Sequence, residues 1–207
     1  MAALTEEQVM IKDQAVAWVT KKTPVKKFRE MRDADLEHSF SAETWAEMAE
    51  MGWAGLLVPE QYGGSGLGYL TFGLVLEQLG TQLTASPLFA SALVGASAIM
   101  LAGSENQKLA LLPTIADGSA IVTLAVEETA RHAPEKIALS AEKASGGFKL
   151  NGSKTFVLEG MAATTFIVAA RTSGKAGDKT GISLFIVPAD TKGLSRIKRN
   201  TLDSRGY

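Results

Sequence analysis

The sequence is poor in cysteine and histidine, two residue types that often act as nucleophiles, general bases or metal ligands. The chain contains no cysteine and only two histidines, His38 and His132. The absence of cysteine excludes a disulfide scaffold, a thiolate zinc site and a cysteine nucleophile. Two histidines leave little material for a Ser-His-Asp triad or a three-histidine metal site. We therefore predict no metal site and assign no catalytic residue within this chain.

A glycine-rich segment is the second feature that could bind a ligand. Residues 63–68 read Gly-Gly-Ser-Gly-Leu-Gly. A dinucleotide-binding glycine loop follows a strand and opens a helix, and that context is absent here. The glycines instead predict a loop whose backbone needs unusual angles or a close approach to its neighbours.

The composition is that of an ordinary globular protein. Hydrophobic residues make up 46% and charged residues 21% of the chain, a composition that excludes a mainly disordered protein. The length of 207 residues suffices for one or two domains. Residues 1–118 carry 8 Lys and Arg against 14 Asp and Glu, whereas residues 119–207 carry 13 against 8. The basic half could face an anionic ligand, or it could be the solvated face of a small domain. The net charge of −1 does not indicate nucleic-acid binding.

The first 118 residues show helical spacing. Capping boxes start helices at Thr5–Gln8 and at Ser104–Gln107, and Ser41 can cap a third helix. The predicted helices are Glu6–Lys22, a surface helix over Lys26–Glu37, one from Ser41 to Gly52, Tyr69–Leu79, a buried helix over Leu88–Ala102, and a short helix that Pro113 closes.

After Asp117-Gly118 the hydrophobic period changes to that of strands. The predicted strands are Ile121–Val126, Lys136–Lys143, Phe148–Leu150 after a Gly146-Gly147 turn, Thr155–Leu158, Thr164–Arg171 and Gly181–Pro188. Helices followed by strands predict an α+β chain. We expect a helical domain over residues 1–118 and a second, β domain over residues 119–207.

Apolar stretches are too short to predict a membrane span. The apolar helix over Leu88–Ala102 falls short of the roughly 20 residues that a span needs. Met1–Gln8 is polar and acidic, unlike the basic start of a secretory signal. We expect a soluble, cytoplasmic protein.

An ordered set of motifs covers nearly the whole chain. The motifs are Trp45–Trp53, Val58–Gly66, Leu76–Gly80, Gly103–Lys108, Leu112–Gly118, Leu150–Lys154, Gly181–Pro188 and Leu202–Tyr207. No single motif is decisive, but in this order the set resembles the amino-terminal half of the flavin-dependent acyl-CoA dehydrogenases. Leu150–Lys154 is similar to the Asn-Gly-x-Lys strand that reaches the flavin in that family.

The resemblance implies a fold and a site. It implies an all-helical first domain followed by a small, incomplete antiparallel β-barrel, with the family's carboxy-terminal helical domain absent. The flavin ring of FAD would rest on two segments, Leu124–Glu128 and Phe156–Leu158. The candidate cofactor-binding residues are Leu124, Val126, Glu127, Phe156, Val157 and Leu158.

The resemblance also implies an activity. The complete enzyme would desaturate an acyl-CoA thioester between Cα and Cβ, with a base supplied by the carboxy-terminal domain, and would form a homo- or hetero-oligomer. This chain alone is then expected to be inactive. An alternative is a non-catalytic subunit of the same family that pairs with a competent partner, and a third reading is an unrelated small-ligand binding module.

The loop after the first predicted strand departs from the family pattern. The family carries Glu-Pro-x-Ala-Gly-Ser-Asp, whereas residues 127–134 read Glu-Glu-Thr-Ala-Arg-His-Ala-Pro. Arg131 or His132 could supply a cation for a phosphate group in place of the missing glycine and serine, so both are candidate substrate-binding residues. The alternative is that they are exposed loop residues.

Overall fold

The chain divides into a helical unit and a unit that carries the strands. The computed structural model describes residues 3–34 and 38–204. Unit 1 comprises Met1–Ile121 and unit 2 comprises Val122–Tyr207. The predicted α+β class, with helices first and strands second, is confirmed.

Unit 1 contains the α-helices of the described residues. They are α1 (Glu6–Lys22), α2 (Val25–Asp33), α3 (Ala42–Glu50), α4 (Gly68–Thr81), α5 (Ala96–Ala102) and α6 (Glu105–Ala116). Both predicted capping boxes are confirmed, Thr5 with Gln8 at α1 and Ser104 with Gln107 at α6. The hydroxyl of Ser41 caps α3 as predicted. Each cap satisfies N–H groups that the first helical turn leaves unpaired.

The glycine-rich segment packs closely against the preceding segment, which contributes Trp53 and Val58 to the core of unit 1. Trp53 is almost fully buried and meets Trp18 edge-on, with ring centroids 5.2 Å apart. A Cβ on Gly64 would lie only 2.0 Å from the carbonyl oxygen of Val58. Gly63 has a φ of +83°. The prediction of unusual backbone angles and close approach is therefore confirmed.

The predicted helix over Leu88–Ala102 is divided. It begins as a π-helix over Leu88–Gly95 and continues as α5. The wider turns of the π-helix bury Ala90, Ser91 and Ala92 together, because this segment has apolar or small residues on every side.

Two further helix boundaries differ from the prediction. The last helix passes through Pro113 and ends at Ala116, because Leu112 and Ile115 are fully buried and their packing outweighs one lost hydrogen bond. The surface helix α2 ends at Asp33; residues 35–37 of the predicted segment lie outside the described residues.

Unit 2 is an open, mixed five-stranded sheet. Its strands are β1 (Val122–Ala125), β2 (Ser140–Ala144), β3 (Gly147–Asn151), β4 (Thr165–Arg171) and β5 (Ile182–Pro188). β4 pairs antiparallel with β5 along its whole length and parallel with β1 over its first half. β2 pairs antiparallel with β3 and meets β4 at one residue. The sheet is open, as an incomplete barrel requires. The long connection from β1 to β4 allows these two strands to pair in parallel.

Two predicted strands are shorter or absent. Lys136–Lys143 forms a strand only from Ser140, because a 3₁₀ turn occupies Pro134–Lys136. The prediction of a strand over Thr155–Leu158 is wrong. Phe156 has a φ of +50°, which interrupts an extended backbone. None of the helices in the described part of the chain is both long and apolar enough to cross a membrane.

Candidate functional site

The two segments predicted to line the flavin lie side by side in unit 2. The N–H of Thr155 donates to the carbonyl oxygen of Glu127 at 2.8 Å. The hydroxyl of Thr123 donates to the carbonyl oxygen of Leu158 at 2.7 Å. The structure therefore brings Leu124–Glu128 and Phe156–Leu158 together although about 30 residues separate them in the chain.

The side chains on this paired surface are mostly apolar. Leu124, Val126, Val157 and Leu158 are half-buried. Phe156 keeps 46% of its surface exposed. We call this set, residues 124–128 with 156–158, the paired surface.

The backbone at Phe156 is in a rare conformation. Phe156 and Glu159 both have a φ of +50°, a region that side-chain-bearing residues adopt rarely and at a cost of about 1–3 kcal/mol each. Such conformations concentrate at functional sites, where the surrounding structure imposes them. The sequence gives no signal for them, because neither residue is Gly or Asn.

Gly152 explains the Asn-Gly part of the Asn-Gly-x-Lys motif. Its φ is +143°, and a Cβ there would lie 2.9 Å from the Cα of Leu139. Only glycine allows the chain to leave β3 at this angle while touching Leu139. The turn that follows delivers Lys154 and Thr155 to the paired surface.

The lysine of the motif forms a shielded ion pair. Lys154 Nζ lies 2.7 Å from Glu128 Oε1 and donates to the carbonyl oxygen of Val126 at 3.0 Å. The side chains of Lys154 and Glu128 are only 7% and 15% exposed. The Glu128 carboxylate also accepts the N–H groups of Ala138 and Leu139 at 2.8 and 3.0 Å. Glu128 lies at the end of the predicted segment Leu124–Glu128, but its pairing with Lys154 was not predicted.

The two members of this pair respond differently to their surroundings. Burial raises the pKa of the Glu128 carboxyl, but the hydrogen bonds from Lys154, Ala138 and Leu139 outweigh burial and hold that pKa below its ordinary value. Burial lowers the pKa of Lys154, and the attraction of Glu128 offsets only part of this effect. The carboxylate form of Glu128 is the form that its hydrogen-bond donors stabilise.

The two candidate cations occupy the exposed loop between these anchored residues. Arg131 and His132 are both exposed. Nδ1 of His132 lies 2.5 Å from Oε1 of Glu127, and the N–H of Ala133 donates to Oε2 of Glu127 at 3.4 Å. Of the two predicted cations, His132 is therefore already engaged by a carboxylate.

A buried arginine holds the far end of the same loop. Arg171 is 7% exposed, and its guanidinium donates to the backbone carbonyl oxygens of Glu135, Ile137, Ser173, Asp178 and Thr180. Sequence reasoning missed this residue. The signal in the sequence is a charged residue at the end of a strand, β4, whose residues 166–170 are all apolar.

A cleft of about 490 Å³ lies in unit 1. Lys22, Phe28 and Glu47 are among the residues that line it. Lys22 Nζ is 2.7 Å from Glu47 Oε1, and the indole N–H of Trp18 donates to Glu47 Oε2 at 2.9 Å. Because these polar groups already pair with one another, the cleft is a weaker candidate for a functional site than the paired surface. Within residues 3–34 and 38–204, no cluster of three His, Asp or Glu side chains could hold a metal ion.

Comparison with known proteins gives matches over both units. The family model described as "Acyl-CoA dehydrogenase, N-terminal domain" matches residues 5–119, and "Acyl-CoA dehydrogenase, middle domain" matches residues 123–207. An acyl-CoA dehydrogenase of Bacillus subtilis is 31% identical over 196 residues, which are 93% of this chain and 50% of the relative. A mitochondrial isovaleryl-CoA dehydrogenase of Pongo abelii is 34% identical over 207 residues, covering 98% of this chain and 48% of the relative.

Solved structures share the fold. A chain of the ChsE4-ChsE5 complex from Mycobacterium tuberculosis superposes on this chain with a TM-score of 0.84 and 26% identity. The match covers 100% of this chain and 54% of the chain in the complex. The chain spans about half the length of the curated relatives that it matches.

Proposed function

This chain belongs to the acyl-CoA dehydrogenase family, and we propose that it forms part of an enzyme that desaturates an acyl-CoA thioester between Cα and Cβ. Residues 1–118 would be its helical domain and residues 119–207 its flavin-contacting domain. The observation that carries the proposal is the paired surface, where two segments distant in sequence meet.

The paired surface suits FAD, the cofactor that the family implies. A flavin ring is flat and apolar with polar edges, so apolar side chains suit its face and backbone N–H groups suit its edge. Leu124, Val126, Phe156, Val157 and Leu158 offer such side chains. Bound FAD would supply the acceptor for the two electrons removed from the thioester. The role of this chain's residues is to bind and orient the ring and to keep water from it.

Polar residues beside the paired surface have more limited roles in this proposal. Glu127 contributes through its backbone, because His132 and Ala133 engage its carboxylate. Arg131, whose side chain extends from the exposed loop, is the better candidate for contacting a phosphate of the cofactor or of the acyl-CoA. His132 could do so only after separating from Glu127.

We assign no catalytic base to this chain. The two carboxylates at the paired surface are both engaged, Glu127 by His132 and Glu128 by Lys154. A general base must be directed at the proton that it removes, and both carboxylates are instead directed at groups of this chain. The 207 residues alone are therefore proposed to be inactive, with the base supplied from elsewhere in the assembly. A cytoplasmic location remains part of this proposal.

A second candidate is a non-catalytic subunit that pairs with a competent partner. The altered loop of residues 127–134, in which Arg131 and His132 stand where the family has glycine and serine, favours it. A complex of two differently named components, ChsE4-ChsE5, is among the structures that share this fold. The unrelated binding module is not favoured, because a helical unit precedes the sheet.

Flavin uptake by the protein from the complete gene tests the proposal. We expect a flavin absorption spectrum in the wild type and FAD affinity weakened about tenfold in Phe156→Ala, because the exposed ring of Phe156 is lost from the paired surface.

Phe148→Ala is the matched control. Phe148 is an aromatic residue of unit 2 that is 48% exposed and lies outside the paired surface. Equal losses of affinity in Phe148→Ala and Phe156→Ala would contradict the assignment of the paired surface. A wild type that takes up no FAD would favour the non-catalytic subunit.

A further inference from the structure

We infer that Lys154 and Glu128 act together to position the backbone of residues 126–128, which belongs to the first of the two segments that form the paired surface. This inference rests on the proposed function. Lys154 and Glu128 would be positioning residues, because their charged groups bind one another and the backbone.

The first argument is connectivity. Lys154 Nζ contacts both the carbonyl oxygen of Val126 and the carboxylate of Glu128. The carboxylate in turn accepts the N–H groups of Ala138 and Leu139. The ion pair thus ties together three stretches of chain, at residues 126–128, at 138–139 and at 154.

The second argument is the neighbouring geometry. Thr155, directly after Lys154, donates its N–H to the carbonyl oxygen of Glu127. Gly152, whose backbone lies against Leu139, shapes the turn that brings Lys154 to Glu128. Arg171 holds the carbonyl oxygens of Glu135 and Ile137 from the other side. The loop that departs from the family pattern is therefore anchored at both ends, and its variable residues lie between the anchors.

The third argument is energetic. A shielded ion pair often adds little net stability, because removing two charges from water offsets most of their attraction. Removing one partner is costly, since the other charge is left buried and unpaired. A shielded pair that also holds backbone groups in place is therefore better explained by the geometry that it fixes than by the stability that it adds.

The test uses the protein from the complete gene in its cofactor-free form. We expect the N–H groups of Ala138, Leu139 and Thr155 to exchange with deuterium about tenfold faster in Lys154→Met than in the wild type. The β4–β5 ladder reports the loss of overall stability of unit 2, so we expect its exchange to accelerate less than that of Ala138, Leu139 and Thr155. Lys149→Met, which removes an exposed lysine of β3, is the matched control.

A second readout separates positioning from stability. In Glu128→Gln/Lys154→Met no buried charge is left unpaired, so we expect its melting temperature to return toward the wild-type value while the exchange at residues 138–139 stays fast. FAD affinity should be about tenfold weaker in both Lys154→Met and the double variant, and unchanged in Lys149→Met. Lys154→Arg should lose less FAD affinity than Lys154→Met, because arginine keeps the positive charge.

The outcomes distinguish this inference from the proposed function. A wild type that binds FAD, together with unchanged exchange and unchanged FAD affinity in Lys154→Met, would overturn the positioning role alone. Return of FAD affinity with stability in the double variant would also overturn it, since the pair would then act only through stability. A wild type that takes up no FAD would overturn the proposed function, whatever the exchange shows.

Discussion

Replacement of Gly152 by alanine tests whether the Asn-Gly turn is forced by geometry. At φ +143° an alanine would be strained by about 1–3 kcal/mol. Its Cβ would lie 2.9 Å from both Cα and Cγ of Leu139, and overpacking of this kind costs about 1–3 kcal/mol. We therefore expect Gly152→Ala to lower the free energy of unfolding of unit 2 by about 2–6 kcal/mol. This is a large share of the about 5–15 kcal/mol typical of a domain.

Two glycines of the adjacent hairpin provide matched controls. Gly146 has a φ of +83° with open space around its Cβ position, so Gly146→Ala adds strain without a clash and should cost about 1–2 kcal/mol. Gly147 has neither a positive φ nor a close neighbour. Gly147→Ala should be neutral or stabilising by about 0.5–1 kcal/mol, as expected for alanine in a strand.

Hydrogen exchange of the β4–β5 ladder is the appropriate assay. All three tryptophans, Trp18, Trp45 and Trp53, lie in unit 1, so their fluorescence does not report directly on unit 2. Exchange through global opening of the sheet gives the free energy of unfolding of unit 2 for each variant. If Gly152→Ala proved as stable as Gly147→Ala, the turn would not depend on glycine and the geometric reasoning would be refuted.

Two other changes have defined outcomes. Arg171→Met removes the donor from five backbone carbonyl oxygens and should destabilise unit 2 by at least about 3 kcal/mol, measured by the same exchange assay; an effect below about 1 kcal/mol would contradict the anchoring role. The pKa of Glu47 is lowered by hydrogen bonds from Lys22 and Trp18, so its contribution to stability is present above pH 4.5 and is lost as the pH falls through the lower, folded-state pKa. Glu47→Gln should therefore flatten the acid limb of unit 1 stability, measured by tryptophan fluorescence.

Much of the fold follows from local sequence signals. The capping boxes at Thr5 and Ser104 use hydrogen bonds within four residues, so the sequence contains both partners. The change of hydrophobic period after Asp117-Gly118 marks where helices give way to strands. The errors arise where packing between distant residues decides the outcome. The helix through Pro113 and the irregular backbone at Phe156 are the two main cases.

The candidate site was predictable in part. The resemblance named the two segments, and the structure brings them together. It could not show that Glu128 pairs with Lys154, because 26 residues separate them. Arg171 was missed because its acceptors are backbone carbonyl oxygens, which leave no trace in the residue types. The pairing of His132 with Glu127 likewise depends on the path of one loop.

The most direct test of the central claim is an absorption spectrum recorded during addition of acyl-CoA thioesters. The protein from the complete gene is reconstituted with FAD and titrated with thioesters of different chain length and branching. Bleaching of the flavin band by one thioester class is the predicted result, because desaturation delivers two electrons to the cofactor. A protein that holds FAD at the paired surface but keeps its spectrum with every thioester would contradict the proposed desaturation.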